Sequence, residues 1–317
     1  MGAMTTLSLI VPVFNEEGSI SGFVRRITEV RSEVLLELGE SAALEYVFVN
    51  DGSKDRTREI LEQLSRENPE VRVVNLSRNF GKEAALSAGL HYATGSAVIP
   101  VDVDLQDPPE LIVEMVRKWK GGAQVVNAKR VDRSIDTPFK RFTANTFYAL
   151  MRRISDQPVH AHVGDFRLLD RQAVSALNQL SESSRFNKGL FSWIGFKVDE
   201  VEFVRAERHH GSTKWNVLNL WALALNGITS SSTLPLRIWS YLGATIALFA
   251  FAYAVVLVVY TLVTGGNMPG YASIMVAILM LGGLNLLSLG LIGEYLGRVA
   301  IEVRRRPLYI VESTRGF

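Results

Sequence analysis

Two aspartates flanking one residue, Asp102-Val103-Asp104, carry the strongest chemical signal in the chain. In an extended segment residues i and i+2 share a side, so both carboxylates face one way. Carboxylates that close repel unless a cation lies between them. A hard ion such as Mg²⁺ or Mn²⁺ takes one or two carboxylates and fills its shell with water and substrate phosphates. Gln106, two residues on, could add a third oxygen, and Lys82 and Arg130 are cations suited to a diphosphate. The chain has neither Gly-x-Gly-x-x-Gly nor Gly-x-x-x-x-Gly-Lys-Ser/Thr, so dinucleotide and P-loop chemistry find no support.

The elements that must position these groups are legible. Short β-rich runs cover 7–13, 46–49, 71–76, 97–101 and 124–128, and helical stretches cover 17–38, 55–67, 82–93 and 109–120. Near-continuous apolar strands alternating with helices predict an α/β fold with a mostly parallel sheet covered on both faces. Ligands of such sheets lie outside the carboxyl ends of the strands. The residues there are Phe14-Asn15-Glu16-Glu17, Asn50-Asp51-Gly52-Ser53, Asn79-Phe80-Gly81-Lys82, Asp102–Asp107 and Lys129-Arg130. Each group alone reads as an ordinary turn or cap. Five of them on one rim read as a site.

Composition narrows the setting. The 317 residues include no cysteine, which excludes disulfides, thiolate metal sites and a cysteine nucleophile. With 34 basic against 32 acidic side chains the chain is not a globally basic nucleic-acid binder. No charged residue occurs between Arg237 and Glu294, and the run breaks at the turn-rich 264–270. The two parts, 238–263 and 273–293, each suffice for a membrane-crossing helix of about 20 residues. Arg237 precedes the first, and Arg298, Arg304, Arg305 and Arg306 follow the second, while the connecting loop is uncharged. The positive-inside rule then places the preceding domain and both termini in the cytoplasm, in a multi-pass inner-membrane protein. Residues 7–13 are too short, and lack the basic leader, for a signal peptide.

Further candidates follow along the chain. Asp165 lies in Val163-Gly164-Asp165-Phe166-Arg167-Leu168, and a basic cluster runs from Arg205 through Arg208 to Lys214. Segments 138–154 and 215–236 interleave aromatic, aliphatic and, in the first, basic residues, as interfacial or ordinary core helices do.

The combination Val11-Pro12-Val13-Phe14-Asn15-Glu16-Glu17, Asn50-Asp51-Gly52-Ser53 and Asp102-Val103-Asp104 resembles an inverting family 2 glycosyltransferase of the GT-A fold. Asp102–Asp107 with Pro108-Pro109-Glu110, the two spans and the tail from Gly293 to Val311 resemble its polyprenyl-phosphate branch. That branch includes dolichyl-phosphate mannose synthase and bacterial undecaprenyl-phosphate glucosyltransferases. The resemblance implies a cytoplasmic GT-A domain over 5–211, an interfacial segment over 212–236, two spans within 237–297 and a basic tail over 298–317. Pro12, Phe14, Glu16, Asp51, Lys82, Asp102, Val103, Asp104 and Arg130 would bind the nucleotide sugar, with Asp51 on the base. Asp102, Asp104 and Gln106 would hold Mg²⁺ or Mn²⁺. Arg205, Arg208 and Lys214 match the family's Arg…Gly-x-x-Lys stretch and would bind the acceptor phosphate, with Arg208, Lys214 and Asp165 taking part in catalysis.

A lipid phosphate monoester has a second pKa near 6 and is largely dianionic at neutral pH, so Asp165 would orient acceptor or sugar more than remove a proton. The chain departs from the family's usual Asp-Asp-Gly-Ser in carrying Asn50. The expected reaction moves a hexose, best glucose from UDP-glucose, onto polyprenyl phosphate. GDP-mannose or a UDP-aminosugar would be alternative donors, and a homo-oligomer, such as a tetramer, is the expected assembly. A processive polysaccharide synthase would need the Gln-x-x-Arg-Trp motif, which is absent. A non-catalytic nucleotide-sugar-binding membrane protein would not need Asp102, Asp104, Asp165 and Lys214 together.

Overall fold

A computed structural model describes residues 5–130, 163–180, 182, 187–203, 234–264 and 270–317. They fall into two compact units, one drawn from Met1–Arg153, Gln157–Asn219 and Arg306–Phe317, the other from Ile154–Asp156 and Leu220–Arg305.

The first unit is built on a sheet of β1 (Thr5–Val13), β2 (Ala42–Asn50), β3 (Val71–Leu76), β4 (Ala97–Pro100), β5 (Val125–Arg130), β6 (Val163–Asp170), β7 (Val198–Phe203) and β8 (Val311–Arg315). Among the described residues the strand order is β7-β5-β6-β4-β1-β2-β3-β8. β1 pairs in parallel with β2 and β4, β2 with β3, and β5 with β7. β6 runs antiparallel between β4 and β5, and β8 runs antiparallel on the outer edge of β3. The helices are α1 (Ile20–Leu38), α2 (Thr57–Glu67), α3 (Lys82–Tyr92), α4 (Leu111–Lys120), α5 (Arg171–Gln179) and α6 (Asn187–Trp193).

Period-two alternation divides the core between the two faces of the sheet. Leu7, Leu9, Val11 and Val13 pack with Phe23 and Ile27 of α1 and Ile112 and Met115 of α4. Ile10, Val47, Val49 and Val74 pack with Ala85 and Leu86 of α3 and Ala173 of α5. The buried positions of α1, Ile20, Phe23, Ile27, Val30, Val34 and Leu38, recur every three or four residues, which makes it an amphipathic helix. Each fully buried Leu, Ile or Phe of this set contributes about 1.5–3 kcal/mol. α3 is packed by small residues, and a Cβ on Gly89 would overlap the Ile10 side chain. That close approach to β1 delivers Lys82, the first residue of α3, to the rim of the sheet.

The first five strands and four helices stand where the sequence predicts them, with ends shifted by a few residues. β6 and β7 were not expected. Asp165, Arg167 and Asp170 interrupt the apolar pattern of β6, and Asp199, Glu200 and Glu202 that of β7, an edge strand blunted by charge. Within the expected basic tail over 298–317 the structure adds regular elements. The last long helix continues to Val303, and residues Val311–Arg315 return to the sheet of the first unit as β8.

The second unit contains α7 (Leu234–Thr264) and α8 (Tyr271–Val303), a helical hairpin in which Trp239 Nε1 donates to Ser288 Oγ. The expected spans 238–263 and 273–293 lie within these helices. Over the described residues alone no helix is long and apolar enough to cross a membrane, and several side chains inside both helices lie outside that set.

Candidate active site

The ends of β1, β2 and β4 and the start of α3 enclose a cleft of about 320 Å³. Pro12, Phe14, Glu16, Asp51, Lys82, Asp102, Val103 and Asp104 all line it, eight of the nine residues expected to meet a nucleotide sugar. Val13, Asn79, Gly81 and Ala85 complete the lining; the first three belong to stretches the sequence marked at the strand ends, and only Ala85, inside α3, was not named. Arg130, the ninth, ends β5 and is outside the lining. Gln106 also is not part of the lining; its backbone N–H donates to Asp104 Oδ1 at 3.3 Å. Arg205, Arg208 and Lys214, together with the segments 138–154 and 215–236 apart from α7's first residues, lie outside the described residues.

The loops after β1 and β2 are knitted together. Asn15 N–H donates to Ser53 Oγ at 2.9 Å, Lys54 N–H to Asn15 Oδ1 at 2.8 Å, and Glu16 N–H to Thr57 Oγ1 at 2.9 Å. This clamp holds Asn15 at φ 55, a left-handed conformation that asparagine tolerates. Phe14 is 43% exposed and offers a free aromatic face at the mouth of the cleft. Gly52, at φ 68, is required, because a Cβ there would overlap the backbone of Arg78 and Asn79.

Asp51 is buried at the floor of this turn. Phe80 N–H donates to its Oδ1 at 2.7 Å and Gly81 N–H to its Oδ2 at 2.9 Å. Burial raises its pKa, opposed by those two N–H groups and by the charge of Arg78. Asp51 therefore shapes the loop leading into α3 as well as facing the cleft. Asn50, where the family usually has an acid, is buried and satisfied as an amide. Its Nδ2 donates to Asn75 Oδ1 at 2.9 Å, and its Oδ1 accepts from Ser53 N–H at 3.0 Å.

Beyond β4 the chain alternates around the buried Val103, with Asp102 partly exposed and Asp104 exposed. Leu105 sits at φ 54, a strained conformation for leucine of a kind that clusters at functional sites. Lys82 Nζ lies 2.7 Å from Asp102 Oδ1 and 3.0 Å from Asp165 Oδ2, so one ammonium joins the two carboxylates. Burial opposes its charge, but Asp102 and Asp165 outweigh that cost and raise the Lys82 pKa. Among the described residues no cluster of three or more His, Asp or Glu is arranged to hold a metal.

Asp165 is the third residue of β6, a strand rather than a loop. Arg167, two residues on, is 3% exposed, stacks over the Phe191 ring at 4.0 Å, and donates from Nη2 to Gly164 O at 2.6 Å. Burial pushes its pKa down to about 10, while the negative charges of Asp165 and Glu83 act to hold the proton. Sequence reading overlooked Arg167, although its i+2 spacing from Asp165 on a strand was a usable signal.

Residues 8–177 match the description "Glycosyl transferase family 2", and residues 234–299 match "GtrB C-terminal hairpin". An uncharacterized glycosyltransferase of Synechocystis is 50% identical over 98% of this chain and 96% of its own length. A prophage bactoprenol glucosyl transferase homolog of Escherichia coli is 48% identical, and the bactoprenol glucosyl transferase of Shigella phage SfII is 49% identical. Both alignments span 98% of this chain and 99% of the relative. With a family match over more than half its length, and a sheet whose strand ends gather the expected carboxylates and lysine, the chain belongs to glycosyl transferase family 2.

Proposed function

We propose that the protein is a membrane-bound inverting glycosyltransferase that moves glucose from UDP-glucose onto a polyprenyl phosphate such as undecaprenyl phosphate. One observation carries the reading: relatives named bactoprenol glucosyl transferase match this chain end to end, through both the catalytic domain and the hairpin.

Phe14 offers a face for the base, and Pro12, Glu16 and Asp51 bound the nucleoside end of the cleft. Asp102 and Asp104 supply hard carboxylate oxygens on one cleft, a donor set that fits Mg²⁺ or Mn²⁺ with water and diphosphate oxygens completing the shell. Such an ion would neutralise charge on the departing diphosphate. Lys82 adds fixed positive charge within the cleft, and Arg130, at the end of β5, is the further cation expected to meet the donor. A phosphate oxygen of the acceptor attacks C1 of glucose from the opposite face. The C1–O bond to the diphosphate breaks, its electron pair leaves with UDP, and configuration at C1 inverts. Asp165, held by Lys82, orients sugar or acceptor, and Arg205, Arg208 and Lys214 offset the repulsion between two phosphate-bearing reactants.

The hairpin would hold this chemistry at the leaflet where the lipid phosphate lies, with the catalytic domain in the cytoplasm. The absence of charge from 238 to 293 supports two spans, as do helices of 31 and 33 residues, longer at 1.5 Å per residue than the roughly 30 Å of hydrocarbon. Apolar side chains such as Leu248, Phe249, Phe251, Leu286 and Leu289 are exposed along them, as lipid-facing residues would be. Gly282, Gly283, Gly290 and Gly293 have open space around them, which suits close helix packing in a homo-oligomer.

The reading is tested with full-length protein in detergent, Mg²⁺ and undecaprenyl phosphate, given UDP-glucose, UDP-N-acetylglucosamine or GDP-mannose in separate reactions. Mass spectrometry is expected to detect a glucosyl phospholipid from UDP-glucose alone. Product from a different donor overturns the sugar assignment, and no product from any donor overturns the reaction.

A further inference from the structure

The segment that follows the hairpin in the chain lies in the same sheet as the cleft, and a line of side chains runs between them. Asn50 is opposite Asn75 in the β2–β3 register, and Asn75 is opposite Ser313 in the β3–β8 register. Three polar residues on three adjacent strands are thus side by side at the end of the sheet that bears the site. Asn75 Nδ2 donates to Ser313 Oγ at 3.2 Å, Asn50 Nδ2 donates to Asn75 Oδ1 at 2.9 Å, and Ser53 N–H donates to Asn50 Oδ1 at 3.0 Å. Asn50 and Asn75 are each 2% exposed, so an unpaired amide at either position has no access to water in exchange.

The far end of the line is fixed independently. Ser77 N–H donates to Ile310 O at 2.9 Å, so the pairing of β3 with the tail extends beyond β8 itself. Arg58 of α2 donates to both carboxylate oxygens of Glu312, at 3.1 and 3.2 Å. The Phe317 ring packs edge-on against Tyr92, centroids 5.2 Å apart. At the near end, the residues between Asn50 and Ser53 are Asp51, on the cleft floor, and Gly52, pressed against Arg78 and Asn79.

We propose that β8 is a working part of the donor site: Ser313, acting through Asn75 and Asn50, is a positioning residue that sets the Asp51-Gly52-Ser53 turn against the nucleotide. This rests on the donor reading above. It gives the amide at position 50 a reason. Asn75 presents its oxygen to residue 50 and its amide to Ser313, and in this arrangement residue 50 donates, which an asparagine can do and an ionised aspartate cannot. The tail is then needed for donor affinity although none of its residues lines the cleft.

The test uses full-length protein in detergent with Mg²⁺, measuring UDP binding by calorimetry and donor KM and kcat with UDP-glucose. Ser313→Ala is expected to weaken UDP binding and raise the donor KM about 2- to 10-fold, with kcat within about twofold. Asn75→Ala, which strands the buried Asn50 amide, is expected to cost about tenfold or more. Ser313→Thr keeps a hydroxyl and is expected to restore the wild-type KM. Should Asn75→Ala fail to fold, Ser313→Ala at the sheet edge carries the test alone. A lower melting temperature with unchanged UDP affinity overturns the proposal, as does a loss of kcat that threonine does not rescue. If wild-type protein itself binds no UDP, the donor reading falls and this proposal with it; normal wild-type binding with unaffected variants removes only this proposal.

Discussion

In the half of the sheet formed by β4, β1, β2 and β3, the cleft residues stand at or just beyond the C-terminal end of a strand or at the start of α3. In the half formed by β6, β5 and β7, Asp165 stands near the beginning of its strand, and the antiparallel course of β6 brings that beginning to the same rim. The two halves also hold their groups differently. The parallel half is knitted by neutral and backbone hydrogen bonds, Asn15 to Ser53, Glu16 to Thr57 and Asp51 to Phe80 and Gly81. Asp165 instead meets that half through an ion pair with Lys82, which also holds Asp102. A pre-formed donor cleft and an ionically tethered partner suggest a division of labour: one half binds the nucleotide sugar, and the other orients what reacts with it.

The largest expected effect breaks the parallel half. Asp104→Ala removes a carboxylate from the diphosphate side and is expected to lower transfer about 1,000-fold, with melting behaviour retained. Wild-type-like turnover of the purified variant would remove Asp104 from the metal site. Cutting the link between the halves comes next. Lys82→Met leaves Asp102 and Asp165 without their shared ammonium, and kcat/KM is expected to fall about 100-fold. Asp165→Asn sharpens the comparison: kcat is expected to fall about 10- to 100-fold while the donor KM stays within about threefold. Equal losses in both parameters would show that the two halves act as one.

The smallest effect is on stability against pH. The folded-state pKa of Lys82 is raised above its ordinary value of 10.5, chiefly by Asp102 and Asp165 acting against burial. A base held in this way contributes stability that is fully present below its ordinary pKa and is lost as pH rises through the folded value. Wild type is therefore expected to melt above Lys82→Met by a constant margin from about pH 6 to 9, and the margin is expected to shrink only in more strongly alkaline buffer. A margin that closes near neutrality would contradict the ion-pair geometry. Since Lys82 is half exposed, the margin itself is expected to be small.

The same contrast governs what the sequence disclosed. Parallel strands buried on both faces are written as apolar runs, so β1 to β4 and the loops after them were readable, and eight of the nine residues expected to meet the donor line one cleft. β6 and β7 carry charge at positions an apolar template rejects, so Asp165 was singled out as a candidate with no strand assigned to it. β8 was hidden for a different reason. Val311-Glu312-Ser313-Thr314-Arg315 is a short polar edge strand behind a basic segment, and its role shows only in tertiary contacts, its pairing with β3 and the Arg58–Glu312 ion pair. Lys82 was assigned to the donor on its charge and its place after β3, whereas its contact with Asp165 depends on how α3 packs past Gly89, which no linear pattern encodes.

The division of labour is tested most directly by measuring UDP binding to Asp104→Ala and Asp165→Asn side by side, calorimetrically, on full-length protein with Mg²⁺. The account predicts that Asp165→Asn binds UDP as wild type does while turning over about 10- to 100-fold more slowly, and that Asp104→Ala binds at least about tenfold more weakly. Equal UDP affinity in the two variants, whether retained or lost, would contradict it.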